Sequence, residues 1–173
     1  MSIQNLAPLL VVGESTGSIN LDGAEDFHAA LSSMVGQAQS TVMLFTQELD
    51  PELYDQAEFI KAVSDTARSN KRCEIHILIC NSSKVARSGH RLIELQKRLS
   101  SAIKIHNIPD TEPANNGEFV IVDGIAITHR FSMGFMQGSC EFKSPSEAQK
   151  KARYFDRVWR ASSPCQEFRR LGI

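Results

Sequence analysis

One short segment, residues 115–124, combines polar side chains that could take part in chemistry with an apolar run. It reads Asn-Asn-Gly-Glu-Phe-Val-Ile-Val-Asp-Gly, and the apolar run predicts a buried strand that ends in an Asp-Gly turn. Asn116 carries a neutral amide, which can act neither as a nucleophile nor as an acid or base. One carboxylate, Glu118, beside one amide is too little to predict a metal site. We therefore predict no metal and no cofactor.

Two histidines lie on predicted strands that flank this segment in the sequence, His106 before it and His129 after it. Such a pair could supply a nucleophile and a general acid for a displaced active site. Neither histidine has a Ser or Asp beside it in the pattern of an orienting partner. We favour ordinary histidines at the surface or end of a sheet and keep the displaced pair as an alternative.

The elements that would position these residues alternate between strands and helices. Apolar residues at helical spacing begin at Phe27 and predict one amphipathic helix, and others follow, the last opening at Ser144-Pro145. Strands are predicted over residues 9–12, 18–22, 41–46, 74–80, 103–108, 118–122 and 125–130. This order predicts an α/β fold, a three-layer α/β/α sandwich with a mixed central sheet. We expect one domain over residues 1–173, with a tail over residues 163–173.

Residues 116–124 resemble the signature strand of the phospholipase D superfamily, which reads His-x-Lys followed four residues later by Asp-Gly. Here Asn116 occupies the histidine position and Glu118 the lysine position, whereas Asp123 and Gly124 are retained. The segments FIKAVSDTARSNKRCEIHILIC and YFDRVWRAS are also similar to segments of that family, and the resemblance spans residues 22–162. It implies one half of a phospholipase D-like enzyme, similar to a small group of degenerate, uncharacterised bacterial proteins.

In active members of that family a histidine attacks phosphorus, a lysine neutralises the phosphoryl oxygens, and two half-sites meet within one chain or across a homodimer. Glu118 would put a negative charge near the negative substrate, a repulsion on the order of 4 kcal/mol at ~4 Å in a surface-like medium. The resemblance therefore implies a catalytically inactive module for binding or regulation that forms a homodimer or binds a protein partner. The alternative is a diverged phosphodiesterase or nuclease that uses His106 or His129. For Asp123 we favour turn chemistry over a retained catalytic role.

The net charge of −1 excludes a field over the whole molecule that attracts nucleic acid, so such binding would need a local patch. On each of two predicted helices, basic residues share one side and form what we call a basic stripe. The first stripe consists of Lys84, Arg87, Arg91 and Arg98, and the second of Lys150, Arg153, Arg157 and Arg160. Stripes can follow phosphates, but amphipathic helices usually carry solvated charge on their outer face. We favour the solvated face and keep non-catalytic nucleic-acid binding as an alternative.

The four cysteines form no Cys-x-x-Cys pair and no zinc-binding pattern. Free cysteines fit a reducing compartment, so we expect a cytoplasmic protein in a bacterial cell. The first residues lack the pattern of a signal peptide, and no apolar run approaches the ~20 residues that span a bilayer. We therefore expect no association with a membrane.

Overall fold

The computed structural model describes residues 2–69, 72–115 and 117–169. Its centre is a mixed sheet whose strands are β1 Ile19–Asp22, β2 Thr41–Thr46, β3 Glu74–Ile79, β4 Ile103–Asn107, β5 Glu118–Val122, β6 Ala126–Arg130, β7 Gln137–Glu141 and β8 Ser163–Pro164. Their order across the sheet is β1-β7-β6-β5-β2-β3-β4-β8. Strands β2, β3 and β4 run parallel, and the remaining neighbours pair antiparallel. The predicted mixed sheet is confirmed.

Helices cover both faces of this sheet. Their bounds are α1 Ile3–Leu6, α2 Ala24–Gly36, α3 Pro51–Tyr54, α4 Ala57–Ser69, α5 Ser82–Ser88, α6 Arg91–Arg98 and α7 Pro145–Ala161. One core joins α1 to α6 with one face of the sheet. A smaller core joins α7 to the other face through Ala148, Phe155 and Val158. These two cores make the three layers that the sequence predicts, because alternate residues of each strand point to opposite faces.

The signature strand β5 lies near the middle of the sheet, between β2 and β6. All five of its residues are buried. Val120 and Val122 belong to the larger core, whereas Phe119 and Ile121 contact the α7 side. By this alternation Glu118 points to the same face as Val120, towards α3 and not towards α7.

One expectation about the elements is wrong. Residues 9–12 form no strand, because the Gln37 side chain satisfies their backbone: its Oε1 accepts from the Val12 N–H at 2.9 Å and its Nε2 donates to the Leu10 carbonyl at 2.9 Å. The segment between β3 and β4 forms two separate helices, because α5 ends at Ser88 and is followed by Gly89 with φ of 76°.

Strand β7 is not among the strands that the sequence predicts. Gly138 explains why: a Cβ at this position would lie 1.8 Å from the carbonyl oxygen of His129 on β6. The two backbones approach so closely that only glycine fits, and glycine weakens the strand pattern in a sequence.

Candidate functional site

The start of β5 meets the end of β2, because the two strands pair antiparallel with Phe45 opposite Phe119. Thr46 and the backbone of Gln47 therefore lie beside Glu118. Asn116, to which the resemblance assigns the histidine position of the signature, lies outside the described residues. Gly117 follows it, and its N–H donates to the Asn115 side-chain oxygen at 2.9 Å.

The Glu118 carboxylate is buried, with 2% of the residue exposed. Its Oε1 accepts from the Thr46 hydroxyl at 2.6 Å and from the Gln47 N–H at 2.9 Å. Its Oε2 accepts from the Tyr54 hydroxyl at 3.2 Å and lies 3.6 Å from Nη1 of Arg130. Both oxygens therefore have partners from the protein itself.

Arg130 lies directly opposite Glu118 in the hairpin of β5 and β6, and it is only 5% exposed. Its Nη1 donates to Oδ2 of Asp50 at 2.9 Å. Its Nε and Nη2 donate to the carbonyls of Phe135 and Met133, each at 3.0 Å. Each of the three guanidinium nitrogens thus takes part in holding two carboxylates and the loop between β6 and β7.

Burial raises the pKa of the Glu118 carboxyl, and hydrogen bonds from Thr46 and Gln47, together with the charge of Arg130, act in the opposite direction. The Tyr54 pKa is raised well above its usual value, first by burial and then by the neighbouring Glu118. Tyr54 therefore keeps its proton and remains a hydrogen-bond donor to the carboxylate. We call Glu118, Arg130, Asp50, Tyr54 and Thr46 the Glu118 cluster.

The turn after β2 is held by the same cluster. Leu49 has a φ of 53°, a left-handed conformation that is rare for a bulky side chain. Its N–H donates to the Thr46 hydroxyl at 3.0 Å, and its side chain is fully buried. These contacts compensate the backbone strain and fix Asp50 next to Arg130.

A small cleft lies at the start of β5. It has a volume of about 210 Å³ and is lined by Asn115, His129, Phe131 and Lys151 among others. The loop before β5 covers the neighbouring side: the Gln47 amide donates to the Asn115 carbonyl, and Arg157 binds both oxygens of Glu112 at 2.8 and 3.1 Å.

Asp123 lies at the opposite end of β5, roughly 17 Å from Glu118 at the usual rise of a strand. With φ of 55° it forms the turn together with Gly124. Its carboxylate accepts from the backbone N–H groups of Gln39, Ser40 and Thr41 at 2.9, 2.8 and 3.0 Å. Asp123 therefore fastens the start of β2 to the hairpin, a role that turn chemistry and backbone capping explain.

The structure does not bring His106 and His129 together. They lie on β4 and β6, four strand spacings or roughly 19 Å apart. His106 stacks on Trp159 with ring centres 3.8 Å apart, and His76 stacks on the other side at 4.3 Å. His129 lies 3.8 Å from a Glu147 oxygen. Burial lowers the pKa of each of these three histidines.

Three residues of the two basic stripes form ion pairs. Lys84 contacts Glu48 at 2.6 Å and Arg91 contacts Asp55 at 2.7 Å, and these two cations lie on different helices because α5 ends before α6 begins. Arg157 is held by Glu112. The others are exposed, namely Arg87, Arg98, Lys150, Arg153 and Arg160.

Within residues 2–69, 72–115 and 117–169, no three His, Cys, Asp or Glu side chains converge to form a metal site. None of the helices in the described part of the chain is long and apolar enough to cross a bilayer.

Sequence reasoning missed Arg130, the residue that organises the cluster. The hairpin register hides the pair: a two-residue turn at Asp123-Gly124 would place Glu118 opposite His129, whereas the folded hairpin pairs Val122 with Ala126 and so places Glu118 opposite Arg130. No local pattern could have predicted Asp50 and Tyr54, which come from the α3 region and approach β5 only in the folded chain.

Three solved structures share this fold. NucT from Helicobacter pylori has a TM-score of 0.65 at 11% identity, over 87% of this chain and all of that one. Nuc from Salmonella typhimurium, a phospholipase D family member, has a TM-score of 0.59 at 14% identity. The match covers 87% of this chain and 99% of Nuc. TrmBL2, an archaeal chromatin protein with a novel mode of DNA binding, has a TM-score of 0.63 at 12% identity, over 94% of this chain and 60% of that one.

These likenesses support a phospholipase D-like fold, and at such low identity they carry the fold alone. No curated protein matches the sequence. A family model does match residues 23–171, and its description is Domain of unknown function (DUF7931). The chain belongs to this DUF7931 family, on a phospholipase D-like fold.

Proposed function

We propose that the chain is a catalytically inactive phospholipase D-like domain that acts as a binding or regulatory module. The observation that supports this most strongly is the state of Glu118, at the position of the family's lysine. Its carboxylate is buried and has protein partners on both oxygens. A site that grips a phosphate needs cations aimed at open space.

The nearest cation, Arg130, is unsuited to that task. Its donors go to Asp50 and to two backbone carbonyls, so binding a substrate would break contacts that hold the loop after β6. The two histidines of the alternative active site do not lie next to each other, because His106 and His129 are separated by three intervening strands. Both points favour a scaffold that has lost its chemistry.

Phosphodiesterase assays test this proposal. Purified protein is incubated with bis(p-nitrophenyl) phosphate, DNA, RNA and phospholipid, beside matched His106→Ala and His129→Ala variants. We expect the three proteins to give the same background rate. Turnover by the natural sequence that either histidine substitution abolishes would establish the diverged phosphodiesterase instead.

The surface next to the Glu118 cluster supports a role in binding protein, including a second copy of the chain. Phe131 and Phe135 are 62% and 67% exposed, and both lie on the loop between β6 and β7. Arg130 fixes this loop through the Met133 and Phe135 carbonyls. A rigid loop presents aromatic anchors at low entropic cost, which is typical of interface hot spots.

Sedimentation analysis tests the homodimer that the resemblance implies. A dimer in which this loop takes part would dissociate more readily when Phe131 and Phe135 are both changed to Ser. The matched control is Leu9→Ser, since Leu9 is 74% exposed on the short 3₁₀ helix Ala7–Leu9. A monomer at all concentrations, or equal weakening by the control, would remove the homodimer.

Non-catalytic binding of nucleic acid is a second candidate. It is supported by the shared fold with a chromatin protein and by the exposed Lys150, Arg153 and Arg160 on α7. The expected affinity falls steeply with salt, and Arg153→Glu lowers it more than Arg68→Glu, a control on α4. Binding that is absent or insensitive to salt would exclude this candidate.

We place the protein in the bacterial cytosol as part of this proposal. Its cysteines, Cys73, Cys80, Cys140 and Cys165, are all free. Burial raises the pKa of Cys73 to about 11 and those of Cys140 and Cys165 to about 12, so these three thiols stay protonated. Free, buried thiols fit a reducing compartment.

A further inference from the structure

A cleft of about 640 Å³ opens at the β4 edge of the sheet. It lies between α6 and the segment that follows α7, where β8 pairs only with His106 and Asn107 and leaves the earlier part of β4 uncovered. The cleft is three strand spacings, roughly 14 Å, from β5. It is therefore separate from the Glu118 cluster.

The lining of this cleft divides into an apolar floor and a basic rim. The floor consists of Ile105, Cys165 and Phe168, all buried residues, and the rim carries Lys97, Lys104 and Arg169. None of the described residues that line the cleft carries a carboxylate. Lys97 contacts Glu94 at 3.2 Å, a residue that lies outside the lining.

A polar anchor fixes one wall of the cleft. The Gln96 amide of α6 donates to the Ile103 carbonyl of β4 at 3.4 Å. On the opposite side, the Cys165 N–H donates to the Ile105 carbonyl at 3.2 Å. These bonds hold both walls of the cleft to the edge of β4.

Like charges around a concave apolar surface create a field that attracts an anion. The field extends to His106, which also lines the cleft: burial first, then the neighbouring His76 and Lys104, lower the pKa of His106. Ligand sites of small molecules are mostly apolar with a few polar groups that fix orientation, and this volume lies within their usual range of about 300–1,000 Å³.

We propose that this cleft binds an amphipathic anion, a single acyl-type chain with a carboxylate or phosphate head. The chain would cover the floor of Ile105, Cys165 and Phe168, and the head would lie between Lys104 and Arg169. The inference goes beyond the proposed function and does not depend on the state of β5. Phosphodiester turnover would overturn the proposed function without affecting this site.

The test is calorimetric titration with decanoate and with decyl phosphate, each below its critical micelle concentration. Trp159 gives a second readout, because it is the one tryptophan of the chain and stacks on His106, which lines the cleft. We expect saturable binding of at least one of the two probes and a change in Trp159 fluorescence at the same midpoint. Binding of both identifies a general anionic amphiphile, and binding of one identifies its head group.

Variants and probes distinguish the cleft from non-specific adsorption. Lys104→Glu is expected to weaken binding at least tenfold, and Lys143→Glu, at an exposed lysine that follows β7, is expected to leave it unchanged. Arg169→Glu is a second variant outside the helices and strands, in case Lys104→Glu impairs folding. Decanol, decyltrimethylammonium and inorganic phosphate should bind at least tenfold more weakly. Failure of both anionic probes to bind, equal weakening by the Lys143 control, or equal affinity for the cationic probe would overturn the proposal.

Discussion

The two ends of strand β5 each carry a carboxylate, and the two carboxylates have different kinds of partner. At one end, the Asp123 carboxylate accepts hydrogen bonds from three successive backbone amides. At the other end, Glu118 pairs with Arg130 inside the protein. One carboxylate binds the backbone of a turn, and the other binds buried side chains.

This difference shows that two carboxylates of one strand can stabilise the fold in two ways. Asp123 fixes the turn and the start of β2 through backbone N–H groups. Glu118 joins β2, α3 and β6 through side-chain and backbone partners. The presence of Asp123 is therefore weak support for catalysis, because its contacts are explained by structure alone.

The largest effect is expected from Glu118→Lys, which introduces the residue that the resemblance to the phospholipase D signature implies at this position. The change would place a second buried cation next to Arg130 and remove its compensating carboxylate. We expect a loss of about 3–5 kcal/mol in the free energy of unfolding, the range for breaking a buried ion pair. Urea denaturation measures it.

The control for this substitution is Glu118→Gln, which keeps an acceptor oxygen for Thr46 and introduces no positive charge. It should cost clearly less than the lysine variant. If Glu118→Lys were tolerated within about 1 kcal/mol, the Glu118 cluster would not be the stabilising element that its contacts indicate.

A smaller effect is expected at the other end of the strand. Asp123→Ala removes a charged acceptor for three backbone N–H groups, and we expect a loss of about 2 kcal/mol in the free energy of unfolding. Asp123→Asn should cost less, because asparagine tolerates a positive φ and keeps one acceptor oxygen. Equal stability of Asp123→Ala and the natural sequence would refute the fastening role of this carboxylate.

The smallest expected effect is the pH dependence of stability that comes from two histidines outside β5. The pKa values of His76 and His106 are lowered in the folded chain, mainly by burial. Their contribution to stability is therefore complete above the unfolded value of about 6.5 and is lost as pH falls through the lower folded values. Glu118 acts in the opposite sense, since its raised pKa favours the protonated folded form as pH falls.

Trp159 reports this histidine titration because it lies between the two rings. We expect its fluorescence to fall below pH 6.5, since a protonated imidazole in contact with indole quenches emission. A His76→Gln, His106→Gln double variant should lose most of that change. An unchanged pH profile in the double variant would show that other groups cause it.

The sequence was sufficient for the layered fold and for the turn at Asp123, because strand alternation and Asp-Gly chemistry are local signals. It was insufficient for the Glu118 cluster. Arg130 lies one residue beyond the position that a two-residue Asp-Gly turn would place opposite Glu118, and Asp50 is 80 residues away in the sequence from Arg130 and meets it only through α3. The charge of Glu118 was expected to face a substrate, and the partners that bury it come from three separate segments.

The most direct test of the central claim, that position 118 now serves the fold, is a double-mutant cycle between Glu118 and Arg130. Urea unfolding is measured for the natural sequence, Glu118→Gln, Arg130→Met and the double variant. We predict a coupling energy of about 1–3 kcal/mol, because each single change leaves a buried partner uncompensated. Additive effects, within about 0.5 kcal/mol, would contradict the claim.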